Sequence, residues 1–210
     1  AYQECHNKKQ HMAYAEPIEQ LIRSFRQLPT VGRRTAERFV FSLLKSGKKD
    51  VGELTIALKQ LMEEMKSCSM CHVFHTQSPC PICANIKRDH TCLCIVAEPQ
   101  DVEVIERMGA YTGLYHVLRG TVDSEHNPAH TKIPALCKRL KTGEIKEVIL
   151  ALNQNMRGET TMMYIEQFIK RETPNIKLTR LARGLPMGSD LQYADDATLD
   201  SAFRHRTKRS

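Results

Sequence analysis

The sequence predicts a multi-domain α/β protein with four parts: a helical bundle, a four-cysteine segment, a parallel-sheet α/β domain and a short C-terminal segment. Apolar residues recur at helical spacing in the first part of the chain. Four cysteines then fall between Cys68 and Cys83. Beyond them, short apolar runs alternate with helical patterns, which is typical of a parallel sheet covered by helices on both faces. We place the four parts at 12–66, 67–91, 92–182 and 183–210.

The composition limits the classes of protein that fit. The 210 residues include 31 Lys and Arg against 24 Asp and Glu, a formal net charge of +7, which permits binding to a polyanion. No apolar run approaches the roughly 20 residues of a membrane span, and the N-terminus carries no secretory signal. We therefore expect a cytoplasmic protein whose cysteines outside the cluster are reduced. Residues 1–11 lack periodicity, and Met12 is the expected natural start.

The cysteine segment consists of two Cys-x-x-Cys pairs separated by eight residues. A two-residue spacer turns both sulfurs of a pair toward one point, and four thiolates complete a tetrahedral zinc site. We expect one structural Zn²⁺ per chain, because four cysteines leave no open position for catalysis. The alternative is a pair of disulfides, although nothing marks the chain as secreted. The expected metal ligands are Cys68, Cys71, Cys80 and Cys83.

Three amphipathic helices predict the N-terminal bundle. The first begins at Pro17, since proline suits the first helical position, and the second follows the Pro- and Gly-punctuated loop after Leu28. The third helix spans about 51–66, with Asp50 and Glu53 as its capping pair. Its expected apolar face comprises Leu54, Leu58, Leu61, Met62 and Met65.

The loop between the first two helices is the most basic part of the chain. Between Arg23 and Lys49, eight Lys or Arg accompany a single acid, Glu37. Glycine lets a ligand approach the backbone, and N–H groups at a helix start can donate to phosphate. We expect this hairpin to bind the backbone of a nucleic acid rather than its bases. The alternative is an ordinary solvated helix face. The candidate DNA-binding residues are Arg23, Gly32, Arg33, Arg34 and Arg38.

The α/β domain is predicted from apolar runs and the patterns between them. Strands are expected at 93–97, 114–118, 147–152 and 176–181, and helices at 99–108, 133–140 and 160–170. The expected sheet core includes Ile95, Val96, Val148, Ile149 and Leu150.

These motifs, in this order, resemble the RecR family of bacterial recombination mediators. Leu28-Pro29-x-Val31-Gly32-x-Arg34-Thr35-Ala36-x-Arg38 is similar to its helix-hairpin-helix, and the cysteine segment has its spacing. Ile95-Val96-Ala97-Glu98-Pro99 is similar to the first strand of its Toprim domain. Gly158-Glu159-Thr160-Thr161 and Gly184-Leu185-Pro186-Met187-Gly188 extend the likeness over nearly the whole chain. Thr30 replaces a usual glycine, which is costly if the backbone there needs positive φ.

The resemblance implies a DNA-binding mediator of recombinational DNA repair that acts without catalysis in the bacterial nucleoid. It implies RecO and RecF as partners in loading recombinase at single-strand gaps, and a ring-shaped homotetramer built through the N-terminal helices and an exchanged C-terminal segment. It also implies Glu98 and Glu159 as contacts for a basic partner. The alternative is that each is a carboxylate favoured by a helix N-terminus.

Toprim enzymes hold magnesium with a glutamate and an Asp-x-Asp pair. After its clearest strand, this chain reads Ala151-Leu152-Asn153-Gln154-Asn155, without a carboxylate. Magnesium prefers several hard oxygens, so we expect no catalytic residues. Two other functions remain as hypotheses: a Toprim nuclease or primase-like enzyme, and a zinc-stabilised interaction scaffold without DNA affinity.

Overall fold

The computed structural model describes residues 14–122, 128–182, 184–185 and 188–206. Met12, the expected start, and Pro186 and Met187 of the C-terminal motif lie outside those ranges. The chain divides into two compact units, with the boundary between Glu64 and Met65. Within the described ranges, none of the helices combines the length and the apolar character that crossing a membrane requires.

The first unit contains α1 (Glu16–Phe25), α2 (Arg33–Ser46) and α3 (Lys48–Glu64). Pro17 lies in the first turn of α1, as expected. Helices α1 and α2 pack through a small apolar core whose members recur at helical spacing on each helix. This core is formed by Ile22, Ala36 and Val40, with Ile18, Phe25 and Val31 packed against it.

Helix α3 differs from the prediction in its start and in its burial. It begins immediately after Gly47, whose φ of 90° turns the chain from α2 into α3. Asp50 therefore lies inside the helix, and the expected Asp50–Glu53 cap is wrong. None of the α3 residues, all of which the structure describes, is buried, and Leu58 is 55% exposed. Periodicity predicts an apolar face, but it does not show what covers that face.

The second unit is the predicted parallel α/β domain together with the cysteine segment. Its four-stranded sheet has the order β4-β3-β5-β6, with every neighbouring pair parallel. The cysteine segment contributes β1 (Lys66–Ser67), β2 (Phe74–His75) and α4 (Pro81–Ala84). The α/β part follows as β3 (Asp89–Val96), α5 (Pro99–Met108), β4 (Gly113–Val117), α6 (Ile133–Leu140), β5 (Glu147–Leu150), α7 (Met156–Glu172), β6 (Lys177–Arg180) and α8 (Asp196–Arg204).

The two faces of the sheet are covered differently. Side chains alternate along β3, so Leu93 and Ile95 join a cluster with α6 and α7, whereas Cys94 and Val96 join another. That second cluster contains Val102 of α5 and all four cysteines of the predicted metal site. The prediction of helices on both faces is therefore incomplete, because the cysteine segment covers part of the second face. The segment belongs to the core of the sheet domain.

One predicted core residue, Ile149, is only half-buried. Val148 and Leu150 point toward α6 and α7, so Ile149 points to the opposite face, where the described core cluster does not include it.

We expect Leu150→Ala to lower the free energy of unfolding by about 2–5 kcal/mol, because Leu150 is 2% exposed. Ile149→Ala should lower the free energy of unfolding by clearly less than Leu150→Ala does. Chemical denaturation of both variants measures the difference, and equal losses would contradict the assignment of the two faces.

Candidate nucleic-acid interface and metal centre

The loop that joins α1 to α2 is a compact succession of turns. The Leu28 N–H donates to Phe25 O over 3.1 Å, and the Val31 N–H donates to Leu28 O over 3.2 Å. Thr30, between them, has a φ of 66°. A β-branched residue is strained in this left-handed region by roughly 1–2 kcal/mol, which glycine avoids. The expected strain at Thr30 is thus present in the hairpin.

The N-terminus of α2 is open to an anion. Gly32 is its N-cap with a φ of −77°, no side chain caps the helix, and its first turn contains no acid. A side chain at Gly32 would meet nothing within 4 Å, so neither packing nor backbone conformation requires glycine at this position. The first N–H groups of a helix lack intrahelical acceptors and can donate to phosphate.

The structure separates the arginines of the hairpin into paired and unpaired groups. Arg33 donates to Glu19 over 2.9 Å and to Glu37 over 3.0 Å, and the Glu19 hydrogen bond raises the pKa of Arg33. Arg23 pairs with Glu16. Arg33 therefore ties α1 to α2, and sequence reasoning missed this because Glu19 lies 14 positions away.

Arg34 and Arg38, unlike Arg33, have no ion-pair partner among the described residues. Both are exposed, and neither has an ion pair or hydrogen bond from its side chain within the described part of the chain. Being four residues apart on α2, they lie on one helix face. Positive charge with no partner in the described ranges thus lies within the first two turns of an uncapped helix.

We expect Thr30→Gly to stabilise the first unit by up to about 1 kcal/mol. Relief of the left-handed strain should exceed the roughly 0.5–1 kcal/mol that glycine costs through unfolded-chain entropy. Thr55→Gly is the matched control, because Thr55 is exposed inside α3 and the same substitution should destabilise there. Thermal unfolding of the two variants measures both effects. A lower midpoint for Thr30→Gly, equal to that of the control, would show that Thr30 is unstrained.

The four predicted metal ligands converge in the second unit. Their sulfur atoms all lie within 4.8 Å of one another, and Cys71 Sγ is 3.6 Å from Cys80 Sγ. A tetrahedron with Zn–S bonds of about 2.3 Å has S···S edges of about 3.8 Å, so the spacing fits zinc. All four side chains are buried. The arrangement can hold a metal ion, as the sequence predicts.

Local structure brings the two cysteine pairs together. Cys68 and Cys71 lie in the turn between β1 and β2, where the Cys68 N–H donates to Val73 O over 2.9 Å. Cys80 and Cys83 lie at the start and inside α4, and the Cys80 N–H lies 3.4 Å from Cys68 Sγ. Backbone donors of this kind orient thiolate ligands.

The thiols do not ionise equally by themselves. A hydrogen bond from Cys83 lowers the pKa of Cys71 to about 5, whereas burial raises the pKa of Cys80 to about 11. The hydrogen bond with Cys71, together with burial, raises the pKa of Cys83. A divalent cation would hold all four groups as thiolates, because its charge offsets their mutual repulsion.

Contacts with the sheet hold the first cysteine pair in place. The Val117 N–H donates to Cys71 O over 2.8 Å, and Arg119 Nε donates to His72 O over 3.0 Å. The Arg119 guanidinium also lies 4.0 Å from the centre of the Phe74 ring. Sequence reasoning missed Arg119, since it lies 47 positions from His72.

The two predicted partner contacts each lie at the start of a helix. Glu98 is the N-cap of α5, and its N–H donates to Asp101 Oδ2 over 2.9 Å. Burial, and then the Asp101 charge, raises the pKa of Glu98. Glu159 lies in the first turn of α7, 4.0 Å from Arg180. These positions match the helix-terminus alternative, and contact with a partner stays a prediction.

The segment after β5 is built around a close backbone approach. Asn155 Oδ1 accepts from the Gly158 N–H over 2.8 Å and caps α7. A Cβ atom at Gly158 would lie 1.9 Å from Asn153 O, so only glycine fits there. The first polar side chain after β5 is therefore the amide of Asn153, at an exposed position.

Comparison with known families matches three parts of the chain. Residues 18–62 match the family described as "RecR, helix-hairpin-helix", residues 91–182 match the Toprim domain, and residues 184–207 match "RecR, C-terminal". The three matches follow the order of the motifs described above.

Two curated relatives extend the likeness to nearly the whole chain. "Recombination protein RecR" of Staphylococcus aureus is 43% identical over 199 residues, which cover 94% of this chain and 100% of the relative. "Recombination protein RecR" of Bifidobacterium longum subsp. infantis is 42% identical over 197 residues, covering 93% of this chain and 98% of the relative. The chain is therefore a member of the RecR family, because identity at this level extends over nearly its whole length and the helix-hairpin-helix, the cysteine cluster and the parallel sheet are all present.

Proposed function

We propose that this chain is a DNA-binding mediator of recombinational DNA repair that acts without catalysis. The observation that carries the proposal is the pair Arg34 and Arg38, both exposed beside the uncapped start of α2 and without a partner among the described residues. The names of the relatives support the recombination role. RecO and RecF are the proposed partners, and recombinase loading at single-strand gaps is the proposed outcome.

The DNA contact is proposed to be independent of sequence. Guanidinium groups and helix N–H groups recognise phosphate oxygens, which every sequence presents alike. Arg33 and Arg23 add to the positive field but are partly offset by Glu19, Glu37 and Glu16. Arg33 is proposed to act mainly by fixing the hairpin, and Arg34 and Arg38 by touching phosphate.

The cluster of Cys68, Cys71, Cys80 and Cys83 is proposed to bind one structural Zn²⁺. Four thiolates saturate the metal and leave no position for a substrate. At the carboxyl end of β5, where a catalytic Toprim domain needs paired aspartates, Asn153 provides an amide. Both observations support a role without catalysis. Glu98 and Glu159 are proposed as contacts for a basic surface of a partner protein.

We propose that the chain forms a ring-shaped homotetramer, partly through α3. Its apolar face is exposed in the single chain, with Leu58 55% and Met62 80% accessible.

We expect Leu58→Glu to lower the mass of the assembly, because a carboxylate on a covered apolar face is costly to desolvate. Ile56→Glu, on the opposite side of the helix and 57% exposed, is the matched control. Analytical ultracentrifugation measures the mass of each variant. Dissociation of the Ile56→Glu variant alone would place the interface elsewhere.

The function is tested by DNA binding measured against salt. Binding of labelled single-stranded and duplex DNA of unrelated sequences should be similar within each form and should weaken steeply as salt rises. Binding that is absent at low salt would favour an interaction scaffold. Magnesium-dependent cleavage or synthesis that Glu98→Gln abolishes would favour the enzyme hypothesis.

A further inference from the structure

Arg139 occupies an unusual environment for a charged side chain. It projects from α6, it is half-buried, and its Nη1 lies 2.8 Å from Tyr115 O and 3.1 Å from Met70 O. Within the described residues, no carboxylate lies within ion-pair distance of its guanidinium. A partly desolvated cation with only carbonyl partners requires a compensating negative charge nearby.

The cysteine cluster lies beside Arg139, because Met70, whose carbonyl accepts from Arg139, is the residue before Cys71. Burial lowers the pKa of Arg139, and negative charge on Cys83, Cys71 and Cys68 opposes that effect, ahead of Glu144. Met70, whose carbonyl accepts from Arg139, lies between two of the predicted metal ligands. The guanidinium is therefore anchored on the metal-binding turn itself.

Three successive carbonyls of that turn are held by the sheet domain. Met70 O accepts from Arg139, Cys71 O accepts from the Val117 N–H, and His72 O accepts from Arg119. His72 has a φ of 65°, an unfavourable conformation for a residue with a side chain, and these contacts compensate for its cost. The sheet domain thus holds this turn in one orientation, and Arg139 binds it at the residue before Cys71.

Metal binding changes the charge of that cluster. Four thiolates and one divalent cation together give the centre a net charge of −2. Such a centre in a buried site is stabilised by an adjacent cation. Arg139 is not itself a ligand, and its role depends on the proposed metal site.

We propose that Arg139 is the counter-ion of the tetrathiolate metal centre. It offsets part of the negative charge that four thiolates and one divalent cation leave, and it strengthens retention of the metal. Arg119 has the related but different role of positioning the turn, through His72 O, Ser67 and the Phe74 ring.

The test measures zinc affinity in the full chain by equilibrium competition with a chromophoric chelator at fixed pH. We expect Arg139→Met to weaken zinc binding by about 10- to 100-fold, and Arg139→Lys, which keeps the charge, to restore most of the loss. Lys138→Met is the matched control, because Lys138 is exposed on the same helix and loses the same charge. Its affinity should stay within about twofold of the parent chain.

Two results would overturn the proposal. One is an Arg139→Met affinity equal to that of Lys138→Met. The other is an equal loss in Arg139→Lys and Arg139→Met, which would mean that the hydrogen bonds of the guanidinium to the turn, and not its charge, decide affinity. If Arg139→Met does not fold, the ratio of affinities of Arg139→Lys and Arg139→Gln carries the test. Zinc content well below one per chain in the parent protein would instead refute the metal site itself.

Discussion

Cys71→Ser is expected to destabilise the whole second unit. Cys71 is buried in the same apolar cluster as Val96, Tyr115 and Val117, so the cysteine segment is part of the sheet core. Structural zinc contributes about 10–16 kcal/mol to the folding of small zinc domains at neutral pH. Loss of one ligand should therefore lower both the zinc content and the thermal midpoint of the second unit. The spectroscopic signal of its parallel sheet should be lost in the same transition.

Cys137→Ser is the matched control for that loss. Cys137 is a half-buried thiol at the edge of the core on the other face of the sheet, and it is not a predicted ligand. This variant should keep one zinc per chain and nearly the parental midpoint. Metal analysis and thermal unfolding of both variants decide the matter. A full zinc content in Cys71→Ser, or an equal midpoint loss in both variants, would refute a structural metal held by Cys71.

The parts that the sequence predicts well depend on short-range patterns. The two Cys-x-x-Cys pairs form a cluster because two-residue spacing and a turn are enough to direct two sulfurs to one point. The strands β3, β4 and β5 were predictable because apolar runs bounded by turn residues have few alternatives in a buried sheet.

The parts that the sequence does not predict depend on distant contacts. Arg33 resembles Arg34 in sequence, but packing of α1 against α2 brings it to Glu19. Ile149 is as apolar as its neighbours, yet its direction in the sheet leaves it half-buried. Arg119 and Arg139 contact the cysteine segment across 47 and 69 positions, and no local pattern records such a pairing.

Arg34→Ala combined with Arg38→Ala is expected to weaken DNA binding by about 10- to 100-fold at 0.1 M salt. Each phosphate contact releases about one condensed counterion, so each lost contact should reduce the salt slope on duplex DNA by roughly one unit. The effect should be the same on all sequences, because phosphate contacts do not read bases. If several copies of the chain engage one DNA, the change in slope should exceed the value for one hairpin.

Arg33→Ala and a deletion of residues 204–210 separate the hairpin from its alternatives. Arg33 is already paired with Glu19 and Glu37. Its loss should therefore destabilise the hairpin while changing the salt slope of DNA binding only slightly. The deletion removes the basic tail, which offers the chain another route to DNA affinity. Fluorescence anisotropy across a salt series gives the slope for each variant. If the deletion abolishes binding while the double arginine variant binds normally, the tail and not the hairpin is the DNA-binding surface. If Arg33→Ala lowers the salt slope as much as Arg34→Ala does, ion pairing within the hairpin does not decide which arginine contacts phosphate.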